Sequence, residues 1–403
     1  MQKRFRLLLQ PSMVHTLIWM FTVFLMIFQL KGIVVTEQIS NDKYLLVSKF
    51  ICFLSLFSVI GFSFAHIITY NQELFQTVTL VERPVIDKLL NKFKWIPYCC
   101  GFVGIFLFVF LLITIGDIAS FSDYRQMSIV TERVGFAAIV QRISGHINIL
   151  GFFYLLILGY KHGIDGIELK EFLKCAFLCS LINLSIGGRL WIVTSVLPFF
   201  ITYLLTRHYS IVPKNIRKSD NVKFFTIIII CVSLFSIIGI LRTDSKSDAS
   251  ISFVDKFLYL TDGAKMTNMV LNQYPSGTYE LEDGKSTFLS GFIHSPMENK
   301  FKESISYDVG LSVTVKSVMP NLYYDFGFKG GVIIWGVVCF FMEYFCIRLK
   351  YSRSIIGILL YGLLAYSFLL SPVFNIFAIY TPYIEWIILI YIFRKFLFRN
   401  IVK

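Results

Sequence analysis

The chain alternates between long apolar runs and shorter polar intervals, and this pattern predicts a bundle of membrane-spanning helices. A helix needs about 20 predominantly apolar residues to cross the hydrocarbon core of a bilayer. Ten runs approach or exceed that length. They predict an all-α polytopic membrane protein with a single integral membrane domain over residues 1–403. The predicted spans are 12–30, 44–70, 95–116, 143–160, 171–186, 190–206, 224–241, 330–347, 354–370 and 383–398.

Two polar intervals interrupt the apolar pattern. The segment 117–142 separates spans three and four, and the segment 242–329 separates spans seven and eight. The longer segment holds 11 of the chain's 25 Asp and Glu residues. These two segments are the main places outside lipid with room for chemistry, so we expect the functional residues in or beside them.

The composition and the placement of charge exclude a soluble protein and a nucleic-acid-binding one. The chain is 56% hydrophobic and only 16% charged, whereas soluble domains are about 45–50% apolar and about 25% charged. A net charge of +13 is typical of nucleic-acid binding, but here the basic residues cluster beside the ends of spans. Cytoplasmic loops of membrane proteins carry such an excess of Lys and Arg.

The same basic residues predict the orientation. Of the 38 Lys and Arg residues, 22 lie in the two termini and in alternate connections between spans, and the connections on the other face hold few. The long segment contributes little to orientation, because long loops cross the membrane largely regardless of charge. We therefore predict a multi-pass protein with both termini cytoplasmic and with 117–142 and 242–329 facing outward.

The eight cysteines all lie within apolar spans. No Cys/His cluster with metal-ligand spacing lies outside them, so we expect neither a disulfide framework nor a zinc site. No metal or cofactor is expected elsewhere in the chain. Cys175 and Cys179 share one face of a helix, which predicts that they pack at a helix–helix contact as small apolar side chains.

Arg189 is the most informative single residue. It follows Gly187-Gly188 and opens span six at the predicted outer boundary. A cation is unfavourable at a helix N-terminus, whereas the unbonded backbone N–H groups there and the guanidinium itself all favour an anion. A bound phosphate would satisfy both preferences. The alternative is an arginine that reaches towards lipid headgroups.

Other outward arginines are candidates for the same role. Arg125, Arg133 and Arg142 lie in the first polar interval, where nearby acids provide alternative partners. Arg142 also stands where span four begins. Arg242 ends span seven, where a cation also suits the helix C-terminus electrostatically.

Several residues are candidates for a general base. His294 is the one histidine in the segment 242–329, Asp325 lies near the end of that segment, and Glu385 lies near the outer end of span ten. A histidine titrates near neutral pH and suits proton abstraction from a hydroxyl. Acids within the membrane are functional candidates by default. We expect His146 to be hydrogen-bonded between helices and Glu343 to pair with basic residues near the cytoplasmic end of span eight.

One stretch has a recognisable pattern. Residues 317–330 read Ser-Val-Met-Pro-Asn-Leu-Tyr-Tyr-Asp-Phe-Gly-Phe-Lys-Gly immediately before span eight. This stretch, the Gly187-Gly188-Arg189 turn, the Arg125 segment and the large outward segment after span seven resemble the O-antigen polymerase (Wzy-type) family of oligosaccharide repeat-unit polymerases. One difference is that nine residues separate Arg125 from Gly135, whereas some members place ten between the arginine and the glycine.

The resemblance implies a GT-C-like membrane glycosyltransferase of the bacterial inner membrane, active in lipopolysaccharide biosynthesis. It would polymerise undecaprenyl-diphosphate-linked oligosaccharide repeat units into surface polysaccharide with inversion at the anomeric carbon. A flippase and a chain-length regulator would be its partners, besides membrane lipids. The implied catalytic residues are Arg189, Arg125, Arg242, Asp325 and His294, and the implied substrate-binding residues are Tyr323, Tyr324, Arg133, Arg142 and Glu385.

Three other functions remain open at this point. An O-antigen ligase-like enzyme would use the same donor but transfer to lipid A core. A flippase or transporter for lipid-linked oligosaccharides would have more spans and short loops on both faces, whereas this chain has one long outward segment. A structural membrane protein without enzymatic activity is the third alternative.

Overall fold

Nearly all the residues that the computed structural model describes are in α-helices. These residues are 15–16, 19–24, 41–69, 83–115, 124, 135–185, 190–209, 219–227, 229–231, 233, 267, 318–352, 355–369, 371 and 380–401. Nine helices within them have defined bounds, and residues described within 15–24 and 219–233 are helical as well. The nine are α1 (Asn41–Thr69), α2 (Arg83–Phe93), α3 (Trp95–Ile115), α4 (Gly135–Asp165), α5 (Leu169–Ser185), α6 (Leu190–Tyr209), α7 (Val318–Ser352), α8 (Ile355–Leu369) and α9 (Tyr380–Ile401).

The helices follow the apolar runs of the sequence. For example, α3 and α8 each begin and end within one residue of a predicted span. Four helical stretches are long and apolar enough to cross a bilayer, namely Leu46–Thr69, Pro84–Ile115, Phe136–Asp165 and Val318–Phe345. The described chain is thus all-helical and has the character of a polytopic membrane protein. The count of ten spans and the GT-C-like fold stay predictions.

Helix α7 begins at Val318, well before the predicted start of span eight at Gly330. Pro320 is compatible with this start, because proline fits the first turn of a helix. The Val318 N–H donates to the Ser371 carbonyl at 3.1 Å, which satisfies one N–H that the helix itself leaves unbonded. The last part of the predicted outward segment, residues 318–329, is therefore helical.

A glycine interrupts α7. Gly327 has φ 65° and ψ −172°, a combination that is essentially restricted to glycine. The residues from Val318 to Phe326 form a helical arm in front of this break, and the longer part of α7 follows it. The tyrosines and the aspartate of the recognised stretch belong to this arm.

Helix α4 also begins earlier than predicted, at Gly135 instead of residue 143. Part of the first polar interval, residues 135–142, is therefore helical, and Arg142 lies within the helix. At 31 residues, α4 is roughly 46 Å long, which exceeds the thickness of the hydrocarbon core.

The basic connection between spans two and three contains the short helix α2, which the apolar pattern did not predict. Ile86, Leu89 and Leu90 are buried on one of its faces, and α2 packs against α4. Lys88 and Lys92 are exposed on its other face.

The chain divides into two compact units. In the first, formed by residues 1–77, 252–352 and 363–384, α1 packs along α7. Trp19 stacks on Trp335 in its core. The contacts proceed in the same order along both helices, from Phe50 against Tyr323 to His66 against Glu343. Helices α1 and α7 are therefore parallel.

The second unit contains residues 78–251, 353–362 and 385–403. Small residues bring its helices close together. A Cβ atom on Gly104 of α3 would lie 2.6 Å from the backbone of Leu181 in α5, and one on Gly163 of α4 would lie 2.6 Å from Thr206 in α6. Small residues at such contacts permit the close backbone approach on which packing between membrane helices relies.

The helix directions in the second unit also follow from paired contacts. Gly101 and Gly104 of α3 contact Leu178 and Leu181 of α5 in the same order, so these helices are parallel. Helices α4 and α6 are parallel by the same criterion, and so are α4 and α9, since Trp386 and Phe393 of α9 contact Phe152 and Phe153 of α4. The predicted order of spans requires these directions, because an even number of crossings separates the members of each pair.

The predicted packing role of Cys175 and Cys179 is confirmed. Both are buried, and a Cβ atom on Gly151 of α4 would lie 3.2 Å from the Cys179 sulfur. The thiol of Cys100 in α3 reaches the same place and donates to the Ile147 carbonyl at 3.5 Å. These cysteines fill the contact between three helices.

Candidate functional site

The N-terminal half of α4 carries polar side chains in a helix that is otherwise mostly apolar. Arg142 and His146 lie four residues apart and therefore share one face of the helix. Both are exposed within the second unit. This end of α4 adjoins the first polar interval, which the sequence predicts to face outward.

His146 forms a hydrogen bond with Glu385 of α9, between the imidazole Nδ1 and the carboxylate Oε1. The side chain of His146 is 55% exposed and that of Glu385 is 24% exposed. The prediction that His146 is hydrogen-bonded between helices is confirmed. Glu385, which the sequence offered as a candidate by itself, is paired with this histidine.

A second polar contact lies two residues further along α4. Asn148 and Asn183 exchange two side-chain amide hydrogen bonds of 3.2 and 3.3 Å between α4 and α5. Near the end of α5, the Tyr124 hydroxyl donates to the Ser185 carbonyl. Because α4 and α5 are antiparallel, the C-terminal end of α5 lies at the same end of the unit as Arg142 and His146.

The Tyr124–Ser185 contact is informative about two sequence candidates. Arg125 is the next residue in the chain after Tyr124, and Arg189 follows four residues after Ser185. Tyr124 and Ser185, which precede these two arginines in the chain, therefore lie at the same end of the second unit. Arg125 and Arg189 themselves lie outside the described residues.

The His146–Glu385 pair has the arrangement of an oriented base. When Nδ1 donates its proton to the carboxylate, the other ring nitrogen, Nε2, keeps its lone pair and can accept a proton. The carboxylate also stabilises the imidazolium that forms after proton transfer, as in hydrolases that use an Asp–His pair. Arg142 adds a positive charge on the same face of α4.

Three predicted site residues lie in the first unit instead. Tyr323 and Tyr324 are buried in the hydrophobic cluster of that unit, and the ring of Tyr323 meets that of Phe50 edge-on at 5.4 Å. Asp325 is 5% exposed. They occupy the helical arm before Gly327, so in this unit they pack against neighbouring helices.

The remaining predicted site residues fall on parts of the chain that the structure does not describe. They are Arg125, Arg133, Arg189, Arg242 and His294. Their roles stay predictions. Among the described residues, no group of three or more His, Cys, Asp or Glu side chains is placed to hold a metal ion.

The first unit contains another His–Glu pair. His66 of α1 lies 2.8 Å from Glu343 of α7, between Nε2 and Oε1, and the Glu343 side chain is only 1% exposed. The sequence predicted that Glu343 pairs with a basic residue near this end of α7, and its partner is a histidine. The Glu343 carboxylate is more buried than that of Glu385, whereas the His66 side chain is 39% exposed.

The sequence did not single out His146 as a candidate base. It pointed to a structural role for His146 and to Glu385, Asp325 and His294 as competing candidates. The available signal was the spacing of Arg142, His146 and Asn148 within an apolar span, which places three polar side chains near one end of a helix. The contact with Glu385 joins residues 239 positions apart, which no local pattern predicts.

No protein-family model matches the chain, and neither a curated protein nor a solved structure matches it significantly.

Proposed function

We propose that this protein polymerises undecaprenyl-diphosphate-linked oligosaccharide repeat units into surface polysaccharide by inverting glycosyl transfer. The recognised stretch before span eight supports the substrate class. The His146–Glu385 pair, with Arg142 on the same helix face, is the observation that carries the chemistry.

The proposed reaction is a displacement at the anomeric carbon of the growing chain. A hydroxyl oxygen of the acceptor sugar attacks this carbon and forms the new glycosidic bond. The bond from the carbon to the diphosphate oxygen breaks, and undecaprenyl diphosphate leaves with the electron pair. Attack from the face opposite to the leaving group inverts the configuration.

His146 acts as the general base in this proposal. Its Nε2 accepts the proton of the attacking hydroxyl, and Glu385 holds the ring and stabilises the imidazolium. Arg142 and the predicted outward arginines Arg125 and Arg189 neutralise charge that develops on the departing diphosphate. Arginine suits this role because its planar fork binds phosphate oxygens in pairs.

Reconstitution of the purified protein with lipid-linked repeat units tests the proposal. His146→Gln is expected to lower turnover by about 100-fold or more, the usual contribution of a positioned base. Glu385→Gln is expected to cause a smaller loss, because the ring remains but is less well oriented. The matched control is His66→Gln, which removes the histidine of the other interhelical His–Glu pair and leaves turnover near the wild-type value.

Two results would contradict the proposal. The first is wild-type turnover by a well-folded His146→Gln variant, which would leave the pair a helix–helix contact. The second comes from deleting the gene and separating surface polysaccharide on a gel. A polymerase defect removes the ladder and keeps a single repeat unit, whereas loss of every repeat unit from the core indicates a ligase or a flippase.

A further inference from the structure

The second unit contains a cavity with a mixed polar and apolar lining at the end of α4 opposite to His146. Its volume is about 390 Å³, which is large enough for a lipid headgroup. Its polar lining includes Asp87, Lys94, Tyr98, Lys161, Glu171 and Lys174. Lys161 follows His146 by fifteen positions along α4, a distance of roughly 22 Å, so this cavity is distinct from the candidate active site.

The carboxylates of the cavity are already engaged with one lysine. Lys161 Nζ lies 3.0 and 3.1 Å from the two oxygens of Glu171 and 3.7 Å from Asp87 Oδ1. His162 Nε2 lies 2.8 Å from Glu171 Oε2. The two carboxylates of the lining therefore share the positive charge of Lys161.

Two further lysines provide positive charge at the same cavity. Lys94 is exposed at the junction between α2 and α3. Lys174 is exposed on the first turns of α5, where its Nζ donates to the Tyr98 hydroxyl and lies 4.7 Å from the Tyr98 ring centroid. The N-terminal ends of α3 and α5 both adjoin the cavity, and helix N-termini favour anions.

The surroundings of the cavity are those expected at the level of lipid headgroups. Trp95 and Tyr98 are exposed at the start of α3, and such aromatic side chains concentrate at membrane–water interfaces. Phe102 and Ile105, further along α3, are also strongly exposed, as expected for a surface that faces acyl chains. A ligand there would meet lysines at its head and apolar side chains along its tails.

We propose that this cavity binds the phosphate-bearing headgroup of a membrane lipid, with Lys94 and Lys174 contacting the phosphate. Lys161 holds the carboxylates of Asp87 and Glu171 away from the anion. The lipid would brace α2, α3 and α5 at this end of the unit. This binding is separate from glycosyl transfer and does not depend on the function proposed above.

Native mass spectrometry of the purified, delipidated full-length protein tests the proposal, with dioctanoyl phosphatidylglycerol as the probe. The wild type is expected to bind it. The double variant Lys94→Gln/Lys174→Gln is expected to bind at least about tenfold more weakly, because charge-assisted contacts to phosphate are lost. The matched control Lys88→Gln/Lys92→Gln makes the same change in charge on the exposed face of α2 and is expected to bind like the wild type.

Two further probes separate the parts of the ligand. Dioctanoylglycerol lacks the phosphate and glycerol 3-phosphate lacks the acyl chains, and both are expected to bind far more weakly than the phospholipid. Equal binding of dioctanoylglycerol would overturn phosphate recognition. Equal binding of glycerol 3-phosphate would show a soluble ligand and overturn the lipid assignment.

The variants themselves provide the remaining outcomes. Undiminished binding by Lys94→Gln/Lys174→Gln would overturn the proposal, and so would an equal loss in the Lys88→Gln/Lys92→Gln control, which would indicate nonspecific surface charge. If the double variant unfolds at a lower temperature than the wild type, the pair Lys94→Arg/Lys174→Arg decides the question. This pair keeps both charges and is expected to retain binding.

Discussion

Gly61 of α1 lies against Gly336 of α7 so closely that a Cβ atom on Gly61 would overlap the Gly336 carbonyl oxygen. A Cβ atom on Gly336 would in turn lie 3.2 Å from the Phe57 carbonyl oxygen. This approach of two backbones sets the spacing of the parallel pair α1–α7. It also positions the His66–Glu343 hydrogen bond, which lies further along the same contact.

Replacing Gly61 with leucine should separate α1 from α7. Over-packing of a close contact usually costs about 1–3 kcal/mol and sometimes more, and here the obstacle is backbone, so we expect a loss of at least about 3 kcal/mol. Thermal unfolding of the purified protein measures the change. The matched control is Gly145→Leu in α4, where no neighbouring atom lies within 4 Å and little change is expected. Equal unfolding midpoints for Gly61→Leu and Gly145→Leu would contradict the close contact between Gly61 and Gly336.

Gly327→Ala should destabilise the break in α7. The φ of 65° at this residue is unfavourable for any side chain, at a cost of about 1–3 kcal/mol. The expected result is a lower unfolding midpoint, together with a shift of the arm that carries Tyr323 and Tyr324. Gly145→Ala is the control, because alanine is the better helix former at an open helical position. An unfolding midpoint for Gly327→Ala at or above the wild-type value would contradict the positive φ at Gly327.

The buried ion pair between Arg207 and Asp220 predicts an asymmetric response to mutation. Arg207 Nη2 lies 2.5 Å from Asp220 Oδ2, and the two side chains are 12% and 2% exposed. The Ile167 N–H also donates to Asp220 at 3.0 Å, which ties the turn between α4 and α5 to this pair. Removing one partner leaves a buried charge uncompensated.

Asp220→Leu is therefore expected to cost about 3–5 kcal/mol of stability. The double variant Arg207→Met/Asp220→Leu should recover much of this loss, because no buried charge remains. Chemical denaturation in detergent measures both free energies of unfolding. A double variant that is no more stable than Asp220→Leu would show that the ion pair is not the main contribution of these two residues to the free energy of unfolding.

Arg189 is predicted to contact the departing diphosphate, and the order of two substitutions tests that role. Arg189→Lys keeps the charge but loses the paired geometry of the guanidinium, so turnover should fall substantially. Arg189→Ala should fall further, since the charge is lost as well. The assay is polymerisation of lipid-linked repeat units at matched folding. Near-wild-type turnover by Arg189→Lys would leave Arg189 an interfacial anchor, because lysine also reaches to headgroups.

The predicted orientation can be tested by cysteine labelling in a cysteine-free background. Lys92→Cys, on the exposed face of α2, should react with a membrane-impermeant reagent only from the cytoplasmic side. Ser276→Cys, in the segment 242–329, should react only from the outside. The expectation rests on the concentration of basic residues in alternate connections. Reversed labelling of the two sites would reject the orientation. Labelling of both sites from one side would reject the odd number of spans predicted between them.

The sequence by itself determined where the long apolar helices form. Segments such as 95–115 are apolar over a length that only a helix can satisfy within lipid, since every backbone N–H and C=O must then be bonded inside the segment. Hydropathy is a property of each segment alone, so the ends of α3 and α8 were predictable without knowledge of their neighbours. The charges beside the spans, which predict orientation, are local in the same sense.

The tertiary structure decided which helices meet and which side chains they bring together. Lipid is as apolar as leucine, so hydrophobicity does not select partners within a membrane, and close packing at small residues does. Gly61 meets Gly336, and His146 meets Glu385, across hundreds of positions of chain that no periodicity relates. The break at Gly327 could not be predicted from the local sequence either. A glycine within a helix is common, and only the contacts around it determine its backbone angles.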